Sequence, residues 1–407
     1  MRRVALAPIR GAIALVLGVL AACGAQQVDA PSPIAGDERE SGNTVAAVRS
    51  SYSSRSGDWS IALDVSELSL VEVGMLDQPV DAAARSGDDA IYFVSRTGTI
   101  HRFASGAKDT APVLDIRDLT VGEGERGLLG LAFSNDGATA YVNYTDRNGD
   151  TTIASLAVST AGQFNRTTLR KLLVIEQPFG NHNAGDVVVE PSGMLLVPMG
   201  DGGSAADPQR VSLDDRSMLG KVLRLDPRDG AVSVLAKGLR NPWRVDLFDD
   251  RLWLADVGQS KWEEVSVLDG VSRRAGVAFG GATSNGSSTD ASAPSTVVDF
   301  GWSAYEAAMR FNDDQASPRH ASPFVAYEHG DNGCSVSGGA IATAGVLKGR
   351  YVFADYCSGR LWSVATDTPS PAMQLHFVDL DAPAAVVRAN NVIFVLSLSG
   401  TIWRLRG

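Results

Sequence analysis

The chain runs to 407 residues, 44% of them hydrophobic and 20% charged, which is enough apolar content for a large core. Its formal net charge is −11 and it carries no basic stripe with interleaved aromatics, which excludes a general affinity for nucleic-acid backbones. The 42 glycines and 17 prolines are spread along the chain, a distribution that suits many tight turns rather than disorder.

Residues 1–22 read as an export signal of the lipoprotein kind. Arg2, Arg3 and Arg10 supply a positive start, and the apolar stretch at 11–20 is too short to span a bilayer as a mature helix. It ends in Leu20-Ala21-Ala22-Cys23, the small-residue pattern of a bacterial lipobox, so Cys23 is the expected lipidated N-terminus. An ordinary signal peptide with a coincidental cysteine is the alternative. The reading places the protein outside the cytoplasm, anchored at the cell envelope on the periplasmic or outer-membrane side. Residues 23–60 are rich in Ser, Gly, Ala, Asp and Pro without apolar periodicity, and read as a flexible tether to a folded body at 61–407. A second polar stretch, 282–295, reads as a surface loop. With Cys23 lipidated, Cys334 and Cys357 remain as an even pair in an exported chain, which points to a disulfide; two buried free thiols are the alternative.

The folded body is organised by a recurring strand–turn–strand. Ile91-Tyr92-Phe93-Val94-Ser95 runs through Arg96-Thr97-Gly98 into Thr99-Ile100-His101-Arg102-Phe103. Near the end of the chain, Ile393-Phe394-Val395-Leu396-Ser397 is followed by Gly400 and Thr401-Ile402-Trp403-Arg404. Tyr351-Val352-Phe353-Ala354-Asp355 with Gly359 is a third copy, and looser ones begin at Ala140, Leu195 and Leu252. In each, a β-branched and aromatic run makes one strand, glycine supplies the turn, and an alternating run makes a second strand. A lone hairpin is marginal in water, so the copies must pack on one another. Six copies at irregular spacings, mostly about 40–60 residues, predict an all-β, six-bladed β-propeller of four-stranded antiparallel blades. A β-sandwich is the competing architecture.

Loop motifs lie between the repeats. They are Gly124-Glu125-Arg126-Gly127, Asn181-His182-Asn183-Ala184-Gly185-Asp186, Met199-Gly200-Asp201-Gly202-Gly203, and Gly238-Leu239-Arg240-Asn241-Pro242-Trp243-Arg244. Asp256-Val257-Gly258-Gln259 follows, and Cys334-Ser335-Val336-Ser337-Gly338-Gly339 pairs with Asp355-Tyr356-Cys357-Ser358-Gly359. In this order, from about residue 70 to the C-terminus, they resemble the PQQ-dependent glucose/sorbosone (soluble aldose) dehydrogenases, a family that includes the propeller domain of Hedgehog-interacting proteins.

The resemblance implies a six-bladed propeller, PQQ and Ca²⁺ as cofactors, and a sugar or related alcohol as substrate. It makes His182 the base that removes the sugar hydroxyl proton, a task suited to an imidazole. Asp201 becomes the carboxylate that orients that base, and Arg240 the cation beside the developing quinol oxyanion. Glu125, Asn241 and Ser335 join Arg240 around the cofactor, and Gly258 and Gln259 offer the backbone carbonyls that hold calcium. The chain also departs from the family. The Lys and the Arg pair that bind the PQQ carboxylates in such enzymes fall near Cys357, Leu380 and Ala382, none of them basic. Arg240, Arg244, Arg360 and Arg388 are the candidate replacements, with Ser335 and Ser337 as neutral donors.

Two main functions therefore follow from the sequence. One is a PQQ-dependent sugar dehydrogenase passing electrons to an unidentified acceptor. The other is a non-catalytic, lipid-anchored propeller that binds a carbohydrate or a protein. A metal-dependent lactonase-like hydrolase is a third.

Overall fold

The computed structural model describes residues 44–46, 68–104, 107–279 and 297–407. The expected export signal, Cys23, most of the 23–60 tether and the 282–295 loop lie outside them.

Among the described residues the strands form six antiparallel blades of four strands each, with further short strands added to some, and the propeller expectation holds. From the innermost strand outward, blade 1 is Pro79–Ala84, Ile91–Ser95, Thr99–Ala104 and Ala107–Lys108, and blade 2 is Leu128–Phe133, Thr139–Thr145, Thr151–Val158 and Phe164–Ile175. Blade 3 is Val188–Val189, Leu195–Met199, Lys221–Leu225 and Val232–Lys237, and blade 4 is Pro242–Phe248, Arg251–Asp256, Trp262–Asp269 and Val325–Glu328. Blade 5 is Val336–Ile341, Arg350–Asp355, Arg360–Ala365 and Gln374–Phe377. Blade 6 takes Pro383–Ala389, Val392–Ser397 and Thr401–Arg406 from the end of the chain, and its outer strand, Ser69–Met75, from the beginning. Each of the six sequence copies supplies the second strand of one blade.

Hydrogen bonds between Ser69–Met75 and Thr401–Arg406 join the two ends of the fold and close the ring. The short strand Thr44–Ala46 pairs with Ser69–Val71 beyond it, so part of the 23–60 stretch joins the sheet. Closure leaves only outer blade edges unpaired, which answers the exposure problem of an open sheet.

Burial falls from the axis outward. Leu128–Phe133 and Leu195–Met199 are buried at every position because blades cover both of their faces, whereas Phe164–Ile175 is mostly exposed. Large side chains of neighbouring second strands meet between blades. Trp253 of blade 4 stacks on Tyr351 of blade 5 at 4.9 Å, and Phe93 of blade 1 meets Phe394 of blade 6 edge-on at 5.3 Å. Each such buried aromatic contributes about 1.5–3 kcal/mol.

Near the axis, carboxylates staple blade to blade. Asp81 Oδ2 accepts from the Leu131 N–H of blade 2 at 2.8 Å, and Asp186 Oδ2 from Val245 of blade 4 at 2.9 Å. Asp246 Oδ2 accepts from Ile341 of blade 5 at 2.8 Å. Burial pushes the Asp81 carboxyl up to about 7, helped by the Asp186 charge and opposed by Arg244.

Candidate active site

Strand direction decides which loops meet. Because the first two strands of a blade are antiparallel, the start of the innermost strand and the end of the second lie at the same end of the blade. The motifs of the sequence occupy those two places. Glu125, His182, Arg240, Asn241 and Ser335 come at or just before the start of an innermost strand, and Asp201, Gly258 and Gln259 just after a second strand. Ring closure therefore gathers them on one face around the axis.

They meet in a cleft of about 480 Å³, lined by Glu125, His182, Arg240, Asn241, Gly258, Gln259 and Ser335, all seven expected from sequence. Asp201 lies directly behind. Its Oδ1 is 2.6 Å from His182 Nδ1, and its Oδ2 accepts the Trp302 indole N–H at 2.8 Å. The Gly203 N–H donates to the same Oδ1 at 2.9 Å. This pairing fixes the imidazole with its proton on Nδ1, and Nε2 has no protein partner among the described residues.

The loop that carries His182 is held from several sides. His182 and Ala184 both sit in the left-handed region, at φ of 55° and 51°, a conformation costly for non-glycine residues. Glu125 Oε2 accepts the His182 N–H at 2.7 Å and Asn241 Oδ1 accepts the Ala184 N–H at 3.0 Å. Glu125 also accepts from Asn241 Nδ2 at 3.1 Å, which ties the two loops to each other. A side chain at Gly200 would come within 1.9 Å of the His182 carbonyl oxygen, so the residue before Asp201 must be glycine for the two segments to approach.

Arg240 is anchored by its backbone and its head. Its N–H and that of Asn241 donate to the buried Asp256, whose carboxyl burial pushes up to about 7. The guanidinium donates to the Val257 carbonyl at 2.8 Å and lies over the Trp302 ring at 5.8 Å. The Gly258–Gln259 segment is shaped by Glu306, which accepts N–H bonds from Gln259, Ser260, Lys261 and Trp262. Burial raises the Glu306 pKa, but those four donors outweigh it and leave the carboxyl below its usual range. Among the described residues, neither the Gly258 nor the Gln259 carbonyl accepts a hydrogen bond, so both are free to face a cation.

Of the four arginines considered as replacements for the missing basic residues, only Arg240 lines the cleft. Arg244 is fully buried near Asp81 and Asp186 at 3.8 and 3.6 Å. Arg360 pairs with Asn332 at 2.9 Å and Arg388 with Asp246 at 2.6 Å. Near the positions where the family's Arg pair was expected, blade 6 offers the cleft Ala384 and Leu398.

Ser337, named from sequence as a neutral donor, lines the cleft as well, but several other lining residues were missed. Val80, Trp243, Ser337 and Ala384 are each the second residue of an innermost strand, at a point where the pairing register shifts. Such a bulge re-aims one side chain, here towards the axis. Arg96, Val257, Tyr356 and Leu398 are each the first residue after a second strand. That common position was visible in the aligned copies. Trp302, which reaches Asp201 from a distant loop, left no such signal.

With this geometry in view, residues 76–273 match the family model described as Glucose / Sorbosone dehydrogenase, from the end of the first blade-6 strand into blade 4. The resemblance to glucose/sorbosone dehydrogenases holds. This glucose/sorbosone dehydrogenase-like chain is also 27% identical over 252 residues to the HIPL1 protein of Arabidopsis thaliana, an alignment covering 50% of this chain and 32% of that protein. It thus spans about a third of the length of that curated relative. Its fold matches the PQQ-bound aldose sugar dehydrogenase of Streptomyces coelicolor with a TM-score of 0.63 at 20% identity, covering 83% of this chain and 97% of that one. The apo soluble aldose sugar dehydrogenase of Escherichia coli matches with a TM-score of 0.64 at 15% identity, covering 83% and 99%. At these identities the likeness speaks for the propeller fold.

The expected bridge is present as well. Cys334 and Cys357 are joined, with Cα atoms 5.6 Å apart, and tie the start of blade 5 to the hairpin that carries Tyr356.

Proposed function

We propose that the protein is a quinoprotein-type sugar dehydrogenase that oxidises an aldose or related alcohol with PQQ and calcium, exported and lipid-anchored at the cell envelope. The observation that carries the reading is the His182–Asp201 pair, set in the wall of a cleft that also presents Arg240.

The residues suit the cofactor. A polycarboxylate leaving water needs cations and donors, and Arg96 and Arg240 line the cleft without a carboxylate partner among the described residues. The buried Ser337 hydroxyl also lines it and has no hydrogen-bond partner among them. The Gly258 and Gln259 carbonyls would hold calcium, a hard cation that prefers oxygen and would act as a Lewis acid. When bound, the quinone supplies a two-electron acceptor for hydride.

The chain's own part is proton handling and orientation. His182 Nε2 takes the proton of the sugar hydroxyl as hydride leaves the carbon that bears this hydroxyl. Asp201 keeps the ring oriented and stabilises the imidazolium that forms. Arg240, held by Val257 and Asp256, places a fixed positive charge where negative charge develops. Glu125 and Asn241 hold the His182 loop in its strained conformation.

A non-catalytic binding propeller is the second reading, favoured by the apolar lining that blade 6 gives the cleft through Ala384 and Leu398. One titration separates the two. Calcium-loaded apoprotein mixed with PQQ should shift the quinone absorbance, and added aldoses should then reduce a redox dye. No binding at micromolar PQQ removes the dehydrogenase reading.

A further inference from the structure

Arg96 occupies the turn that follows the second strand of blade 1, and lines the cleft. Its backbone cannot wander. Its N–H donates to the Gln78 carbonyl at 3.0 Å, and its own carbonyl accepts the Leu128 N–H at 3.0 Å. A side chain at Gly127 would come within 2.2 Å of the Arg96 carbonyl oxygen and 2.6 Å of its Cγ. Glycine at 127 is therefore what lets the Arg96 stem lie against the blade 2 connector.

The head group is fixed in the same manner as that of Arg240. Gln78 Oε1 accepts from Arg96 Nε at 2.9 Å and from Nη2 at 2.5 Å, as Gln259 Oε1 accepts from Arg240 Nε and Nη2, each at 3.4 Å. In both cases a neutral carbonyl orients the guanidinium without consuming its charge, and no carboxylate pairs with either among the described residues. Arg96 Nη1 has no protein partner among them. Two oriented cations therefore line one partly desolvated cleft with the unpartnered Ser337 hydroxyl; neither forms a salt bridge among the described residues, and Asp77 and Asp256 act on their guanidinium groups only through space. Keeping such a charge half-buried has a cost that an anionic ligand would offset. An arginine fork matches a carboxylate in shape as well as charge.

We propose that Arg96, oriented by Gln78, is a ligand-anchoring residue that grips a carboxylate of the molecule bound in the cleft. The assignment rests on the proposed function in taking that molecule to be PQQ; the same chemistry would fit the carboxylate of an acidic sugar, and the two sources are separable.

The test uses the full folded chain with calcium, as wild type, Arg96→Ala and Arg96→Lys. PQQ binding is measured by absorbance titration and calorimetry, and glucuronate and glucose binding by ligand-observed NMR. Loss of a charge-assisted bond predicts that Arg96→Ala weakens PQQ at least tenfold, that Arg96→Lys recovers part of it, and that the melting temperature without ligand stays within a few degrees. Unchanged PQQ affinity with a selective loss of glucuronate over glucose would keep the anchoring role and move it to the substrate. Unchanged affinity for both overturns the inference and leaves the dehydrogenase reading standing. Failure of wild type to bind PQQ overturns that reading instead, and the anchoring role then stands or falls on the glucuronate arm.

Discussion

The Trp302 indole donates to Asp201 Oδ2 over 2.8 Å, while the other oxygen of that carboxylate lies 2.6 Å from His182 Nδ1. The same indole ring sits 5.8 Å beneath the Arg240 guanidinium. One side chain thus positions both the partner of the candidate base and the candidate oxyanion cation.

Trp302→Phe keeps an aromatic ring, smaller than the indole, and removes the N–H. On the proposed function, dye-linked aldose oxidation should fall about tenfold in kcat with a smaller change in KM, as for other groups that orient a working histidine. PQQ affinity should change little, because the lost donor serves the base rather than the cofactor. A matching loss of PQQ affinity with a lowered melting temperature would show that Trp302 only packs.

His182→Ala should reduce turnover by about 10²–10⁴-fold, the usual worth of a positioned base, while PQQ affinity changes little. The measurement is steady-state dye reduction beside a PQQ titration of the same preparation. Equal loss of both would place His182 in the binding wall rather than in the proton transfer.

How much of this was legible beforehand depends on whether a feature repeats. The hairpins recur, so Ile91–Ser95 and Val392–Ser397 announced their common role, and six copies gave six blades. Motifs adjoining those hairpins could then be placed at one end of the ring, which is why His182, Asp201 and Arg240 converge as expected. Arg96 was passed over because it looks like an ordinary turn residue until Val257, Tyr356 and Leu398 are seen at the same position. Ser337 and Trp243 enter the cleft through register shifts, which no apolar pattern encodes. Trp302 belongs to the long insertion between the third and fourth strands of blade 4, outside the repeat altogether.

The disulfide shares its task with a carboxylate. Asp355 accepts the N–H groups of Cys334, Ser335, Cys357 and Ser358 and the Tyr327 hydroxyl, so it spans the two segments that the bridge joins. Cys334→Ser should cost up to about 3 kcal/mol, the entropic worth of a loop of this length. Asp355→Asn, which exchanges an acceptor for a donor among five donors, should cost at least as much. Combined, they should destabilise by more than the sum, measured by denaturant unfolding with and without reductant. Ser335 and Tyr356 line the cleft, so PQQ affinity should fall in the same order. An unchanged melting temperature on reduction would leave Asp355 as the sole clamp.

In the third strand of blade 4, burial pushes the Glu264 carboxyl up to about 8, reinforced by the charges of Asp256, Glu306 and Glu263. Its carboxylate accepts the Ala307 N–H, but that single bond does not offset complete burial among like charges. A carboxyl whose pKa is higher folded than unfolded favours the folded state below its unfolded value, near 4.5, and loses that contribution as pH rises through about 8. Stability should therefore decline from about pH 5 to pH 8, with Glu264 contributing a slope approaching about 1.4 kcal/mol per unit. Asp256, raised to about 7, adds to the decline in the same sense. Glu264→Gln removes one titration while keeping shape and hydrogen-bonding capacity, so its unfolding free energy should gain on wild type progressively across that window. Urea titrations of both proteins at half-unit pH steps read the difference directly, and parallel curves would mean that Glu264 stays ionised in the folded protein.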